Sequence, residues 1–352
     1  MKRSEYTAIT SRLLLVALMG FVQLGFSQDT ASVEQYFAND PSAEKHAVIL
    51  VGPTVGDDNK VKFRQWAFSL HDILGRDYGY GSEAITLLHD KGENLGPGYE
   101  RVDGPTTAVG ITGAFSELSG RVKTGDQITV FLIGHGSGAG EEAKFNIVGP
   151  DMTGGEFAEI LDQFSQQNIV VVNSTSASYG FSAALSGEGR VVISATRSPS
   201  EKFDPIFSRY FIEALDGRNG DRDKNNRVSM LEAFNYAKAS VDLWYEEQGR
   251  LASEHAGLDD NGDSLFSLSP VIADADGRLA EIAYIDSLED EAGNLSSAAL
   301  ALKSSMQDLE RSIFILRGRK ADFIEADYWQ QMEELLLDLA RTTGQFNEQT
   351  QR

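Results

Sequence analysis

The chain has 352 residues, 41% of them hydrophobic, enough to bury one large core with room for an appendage. With 53 acidic residues against 31 basic ones it carries a net charge of −22, which excludes nucleic acid and anionic membrane surfaces as partners and suits cations. It has no cysteine, so disulfides, thiol nucleophiles and a lipoprotein anchor are all excluded.

At the N-terminus, Lys2, Arg3 and Arg12 precede the apolar run "LLLVALMGFVQLGF", which is too short to span a bilayer comfortably. Gly25 and Ser27 stand at −3 and −1 of a cut after Ser27. This pattern predicts a secretory signal peptide over residues 1–27. The protein is then expected to be exported, periplasmic or secreted, and not an integral membrane protein once the signal is removed; a retained anchor helix is the alternative. An exported chain without disulfides needs another stabilising device, and bound metal is the natural one.

Residues 28–45 read as a polar lead-in. "HAVILVG" (46–52) is a continuous apolar run ending in glycine, as in a strand covered on both faces. Over 59–74, Val61, Phe63, Trp66, Leu70 and Ile73 fall near one helical face. A strand is expected at 83–89, a helix at 105–122 and a strand at 127–134. A helix at 153–165, strands at 168–173 and 190–196, and helices at 204–215 and 229–249 follow. Alternating β and α units imply an α/β fold with a mostly parallel sheet and helices on both faces. The working site of such a sheet lies at the carboxyl ends of its strands, where strand order reverses.

The character changes after Pro270. Asp274–Gly277 reads as a turn. Leu295, Ala299, Leu302, Met306, Leu309, Ile313 and Leu316 then form a heptad seam, and a second helix is expected at 325–342. The extension, 271–352, is read as a helical hairpin packed on itself or on the core. The alternative is a coiled-coil arm that oligomerises through residues 290–342 or docks a partner.

Chemistry points first to His135, held between Gly134 and Gly136 directly after a strand. Flanking glycines let the backbone turn sharply, and an imidazole titrates near neutrality, as a general base must. The glycines of 134–140 do not make a phosphate loop, because no Gly-Lys-Ser/Thr follows and the surroundings are acidic; a nucleotide cofactor is rejected.

The pattern strand-Gly-His-Gly, followed one strand later by a small hydroxyl-rich turn, resembles the caspase/legumain clan of cysteine peptidases over about residues 46–270. In "VVVNSTSASYGFSAALSGEGRVVISATRSPSE", the next strand ends in Ala-Thr-Arg-Ser with Glu201 after it, and 207–215 resembles the helix that follows. The resemblance implies a caspase-like sheet in the order 2-1-3-4-5 and a peptide-binding cleft. The sequence departs from the clan at its centre: Asn173 replaces the usual aspartate and Thr175 stands where the cysteine should be, with Ser174, Ser176 and Ser178 around it. The Asn-x-Thr-Ser-Ala-Ser run is similar to that of bacterial legumain-like proteins without the cysteine. A hydroxyl is a far weaker acid than a thiol and needs a base in close, oriented contact.

The expected role is therefore a non-catalytic homologue that binds a peptide or protein, with His135, Asn173 and Thr175 lining the cleft. The first alternative is a hydrolase with His135 as base, Thr175 (or Ser174 or Ser176) as nucleophile, and the Gly136 N–H in the oxyanion hole. The second is an envelope scaffold acting through the C-terminal helices.

"DRDKNNRVSMLE" matches an EF-hand calcium loop at nearly every position. Asp221, Asp223 and Asn225 fill positions 1, 3 and 5, Arg227 offers its carbonyl at 7, Ser229 stands at 9 and Glu232 at 12. Asn226 replaces the usual glycine at 6, and asparagine tolerates positive φ better than most residues. A further acidic loop with Asp259, Asp260, Asn261 and Asp263 lacks the closing glutamate. It is similar to the Glu-His-x-x-Leu-Asp-Asp-Asn-Gly-Asp segment of the same relatives and reads as a second ion site, a part of the cleft lining, or a plain turn.

Overall fold

Among the described residues nine short or medium strands occur: β1 Lys45–Val51, β2 Ile85–His89, β3 Gln127–Ile133, β4 Gly136–Ser137, β5 Lys144–Phe145, β6 Met152–Thr153, β7 Asn168–Asn173, β8 Arg190–Ser194 and β9 Gly257–Asp259. β3 and β7 are buried at every position, and β1 at all but its first. Strands so apolar need cover on both faces, and they lie inside a six-stranded sheet of order β2-β1-β3-β7-β8-β9. The first five are parallel, and β9 is added antiparallel to β8. In this computed structural model residues 43–54, 56–270, 276–286 and 295–350 are described. The expected signal peptide, most of the lead-in and the first half of the Asp274–Gly277 turn lie outside them.

The helices are α1 Asp57–Tyr78, α2 Ala108–Ser119, α3 Gly154–Leu161, α4 Ser178–Leu185, α5 Phe207–Leu215, α6 Met230–Glu247, α7 Arg278–Ile282, α8 Ser297–Gly318 and α9 Glu325–Thr350. Side chains alternate across a strand, so Ala47, Ile49 and Val51 face one layer and Val48 and Leu50 the other. The first layer is built by α1, α5 and α6, with Phe63, Phe211 and Phe234 in its core. The second is built by α2, α3 and α4 around Phe115, Phe157 and Phe181. Of the predicted α1 face, Phe63, Leu70 and Ile73 are buried, Trp66 packs at the edge, and Val61 is exposed.

Along the chain the five parallel strands lie in the order 2-1-3-4-5, and the winding reverses between β1 and β3. That order is shared by doubly wound sheets in general, and it puts a crevice at the carboxyl ends of β1, β3 and β7. Three features escape sequence patterning: α4, the three-stranded sheet β4-β5-β6, and the edge strand β9.

The C-terminal helices pack on each other. Ala299 and Met306 meet Phe346, while Ile313 and Leu316 meet Tyr328 and Met332. Phe314 joins the main core, with the Arg278 guanidinium 4.6 Å over its ring. Most of the heptad seam is thus covered within the chain by the second helix, as a hairpin. Among the described residues no helix is long and apolar enough to cross a membrane.

Candidate functional site

Two glycines position the histidine. Gly134 follows β3 at φ +152°, where a Cβ would come 3.3 Å from the Gly52 nitrogen and the Phe145 ring. At Gly136 a Cβ would lie 2.4 Å from the Ser176 carbonyl oxygen, so any side chain would push away the turn after β7. His135 is thereby set in the crevice. Its Nδ1 lies 2.8 Å from Asp204 Oδ1. An ionised carboxylate only accepts, so Nδ1 carries the hydrogen and the neutral ring keeps Nε2 as its basic nitrogen. Asp204 Oδ2 also accepts from Asn59 Nδ2 at 2.7 Å. The His135 bond holds the Asp204 carboxyl below its ordinary range, against the opposing effect of burial. Phe63 packs beside the imidazole, ring centroids 5.4 Å apart.

The turn after β7 is a closed polar network. Asn173 Oδ1 accepts from the Thr175 amide at 3.1 Å and the Thr175 hydroxyl at 2.8 Å, as an Asx-turn does. Asn173 Nδ2 donates to Ser182 Oγ. Ser174 donates to the Leu132 carbonyl, and Ser176 Oγ accepts from the Gly136 amide at 3.3 Å. Ser178 shares its hydroxyl with Ser194 and Thr196. Thr175 is 1% exposed. Among the described residues no hydroxyl is hydrogen-bonded to His135. The residue held in the left-handed conformation at this tip, φ 49°, is Ala177, which has no nucleophile; its amide donates to the Glu201 carbonyl.

A second histidine–carboxylate pair closes the same loop region: His255 Nδ1 lies 2.6 Å from Glu201 Oε1. Glu201 Oε2 accepts from the amides of Arg197 and His255. Asp204 and His255 were not legible as site residues. Asp204 precedes Pro205 and reads as a helix start, and pairing to a distant histidine leaves no local spacing to detect. Of the other histidines, His46 lies at the opposite end of β1 beside Asp126, and His89 packs against Phe68 and Tyr99.

The first acidic loop gathers its side chains. One carboxylate oxygen each from Asp221, Asp223 and Glu232 lies within 4.8 Å of the other two, close enough to share one oxygen-ligated cation. Lys224 and Asn226 adopt positive φ, both 64°, so the asparagine at position 6 makes the turn that glycine normally makes. Asn225 N bonds Asp221 and Asp223, and Asn226 N bonds Asp221. Ser229 and Glu232 form a capping box on α6, and Glu232 Oε1 also accepts from the Arg222 amide. Arg227 turns its guanidinium onto the Tyr284 ring, 3.5 Å from the centroid. Asp223 is exposed, at the wall of a cavity. The surrounding protein still desolvates it, and together with the charge of Glu232 pushes its pKa up to about 7.

The second acidic loop does not gather. Asp259 accepts from the Gly262 and Ser264 amides, Asp260 from Gly277 and Ala280, Asn261 from Asp263, and Asp263 from Leu265. Each side chain is turned to a different part of the backbone, and among the described residues they form no ligand cluster.

No family model matches this chain, and none of the curated proteins matches it.

Proposed function

We propose that this chain is a caspase/legumain-like peptidase homologue that binds a peptide or protein segment in its crevice without cutting it. One observation carries the reading: the Thr175 hydroxyl, at the nucleophile position of the resemblance, is buried and donates to Asn173 Oδ1 at 2.8 Å. A hydroxyl becomes a nucleophile by giving its proton to a base, and this one gives it to a carboxamide. Phe203, 73% exposed beside Asp204, and the half-exposed Arg197 offer apolar and cationic anchors to an extended segment. Calcium is proposed as a brace for the helices behind the sheet, held by Asp221, Asp223, Asn225 and Glu232. Their all-oxygen donors suit a hard cation.

The hydrolase reading keeps one supporting observation, the Asp204-oriented His135, which is the base half of a triad. A displayed peptide library, followed by mass spectrometry of the eluted peptides, separates the two. Enrichment of intact peptides by the full chain, lost in His135→Ala, is expected; cleavage that disappears in His135→Ala overturns the non-catalytic reading. Thr175→Cys supplies a gain-of-function arm: cleavage gained there and lost again in Thr175→Cys/His135→Ala marks the crevice as a peptide site.

A further inference from the structure

We infer that Glu310, carried by the C-terminal hairpin, completes the cation site of the 221–232 loop, so that a divalent cation and the hairpin bind the core cooperatively. This rests on the calcium reading above.

α8 crosses the loop. Glu310 Oε1 accepts from Asn225 Nδ2 at 3.4 Å, and the Glu310 side chain is only 10% exposed. Its other oxygen, Oε2, is buried and takes no hydrogen bond. Arg227 Nη1 stands 3.5 Å from it, as an ion pair only, and is also committed to the Tyr284 ring. A second buried carboxylate oxygen without a donor, Oε2 of Glu281, belongs to a residue that lines the same cavity as Glu310. Its partner oxygen pairs with Arg317 of α8.

Asp223, Glu232, Glu281 and Glu310 all line one cavity of about 730 Å³ between the loop, α7 and the hairpin. The cations on its wall are already engaged in part: Arg317 by Glu281, and Lys224 by the Asp221 carbonyl. Arg222 is the remaining one.

Buried carboxylate oxygens that lack donors call for positive charge. Docking α8 brings the Glu310 carboxylate within electrostatic reach of Asp223 and Glu232, and like charges oppose that approach. A divalent cation reverses the sign. By linkage, whatever hairpin docking adds to cation affinity, the cation adds to hairpin docking.

The test uses the full chain and calcium chloride. Calorimetry compares wild type with Glu310→Gln, which keeps size and an acceptor oxygen but removes charge. Hydrogen exchange of α8 and α9 is followed in calcium and in chelator. The variant is expected to bind calcium at least about fivefold more weakly, at the low end of ordinary coupling. Chelation is expected to speed exchange of both helices in the wild type. Equal affinity in the two proteins, or wild-type α8 exchange that ignores calcium, overturns the inference and leaves the calcium reading standing. Failure of the wild type to bind calcium overturns both. If Glu310→Gln does not fold, the wild-type exchange comparison decides alone.

Discussion

The loops Asp221–Glu232 and Asp259–Asp263 are alike in composition and opposite in construction. In the first, acidic and amide side chains at every second position of a tight turn point inward, and three carboxylates converge. In the second, Asp259 ends strand β9 and Asp260 follows it, so the two side chains leave on opposite sides of the backbone. Asp259 ties the 262–264 turn, while Asp260 holds the amides at the start of α7. Acidic content alone therefore does not make an ion site; the backbone conformation beneath it decides whether carboxylates meet each other or meet amides.

The contrast is most directly broken with calcium. At about 1,000 Kd, a ligand that binds only the native state adds about 4 kcal/mol to its stability. The wild type should show that rise in thermal or urea unfolding, and Asp221→Asn/Glu232→Gln should lose it. Asp263→Asn should keep it. A double variant that responds to calcium like the wild type would place the ion elsewhere.

A smaller effect sharpens the other side. Asp260→Ala strands the Gly277 and Ala280 amides in a buried setting, where each lost partner costs about 1–3 kcal/mol. A loss of about 3 kcal/mol in urea unfolding is expected. Asp263→Ala, exposed and serving a single amide, should lose far less. Equal losses would mean that burial is not what separates the two aspartates.

Reading these loops from sequence had an uneven yield for a physical reason. Apolar runs such as "AVILV" and "ITVFLI" report their own burial, so the parallel sheet and its crevice were legible. Position-specific loop chemistry reported the turn at Asn226, and heptad spacing reported the hairpin. Partnerships between distant residues leave no such local trace. Asp204 with His135, Glu201 with His255, and Glu310 with Asn225 became visible only once the chain was folded. α4 was hidden because its first turn is made of serine, tyrosine and glycine, and β9 because it is only three residues long and ends in an aspartate.

The smallest predicted effect concerns pH, and it runs against the usual behaviour of acidic residues. Asp260 is pushed up to about 6 by burial above all and by the charge of Asp259, and Asp276 to about 7 by burial above all and by the charges of Asp260 and Asp259. Their native state holds protons more tightly than the unfolded chain, where aspartate titrates near its ordinary value. The stability tied to those protons is full below the ordinary aspartate range and is lost as pH rises through about 6 to 7. Asp204 has the opposite sign: its lowered pKa contributes stability above the ordinary range that is lost as pH falls. Asp276→Asn keeps the oxygen that accepts from the Asp260 amide at 3.2 Å and removes the charge. Urea midpoints measured from pH 5 to pH 8 should therefore fall less in the variant than in the wild type. The difference should reach roughly 1–2 kcal/mol once solvent screening is discounted. Two parallel curves would show that Asp276 titrates as an ordinary carboxylate and that the second loop carries no charge stress.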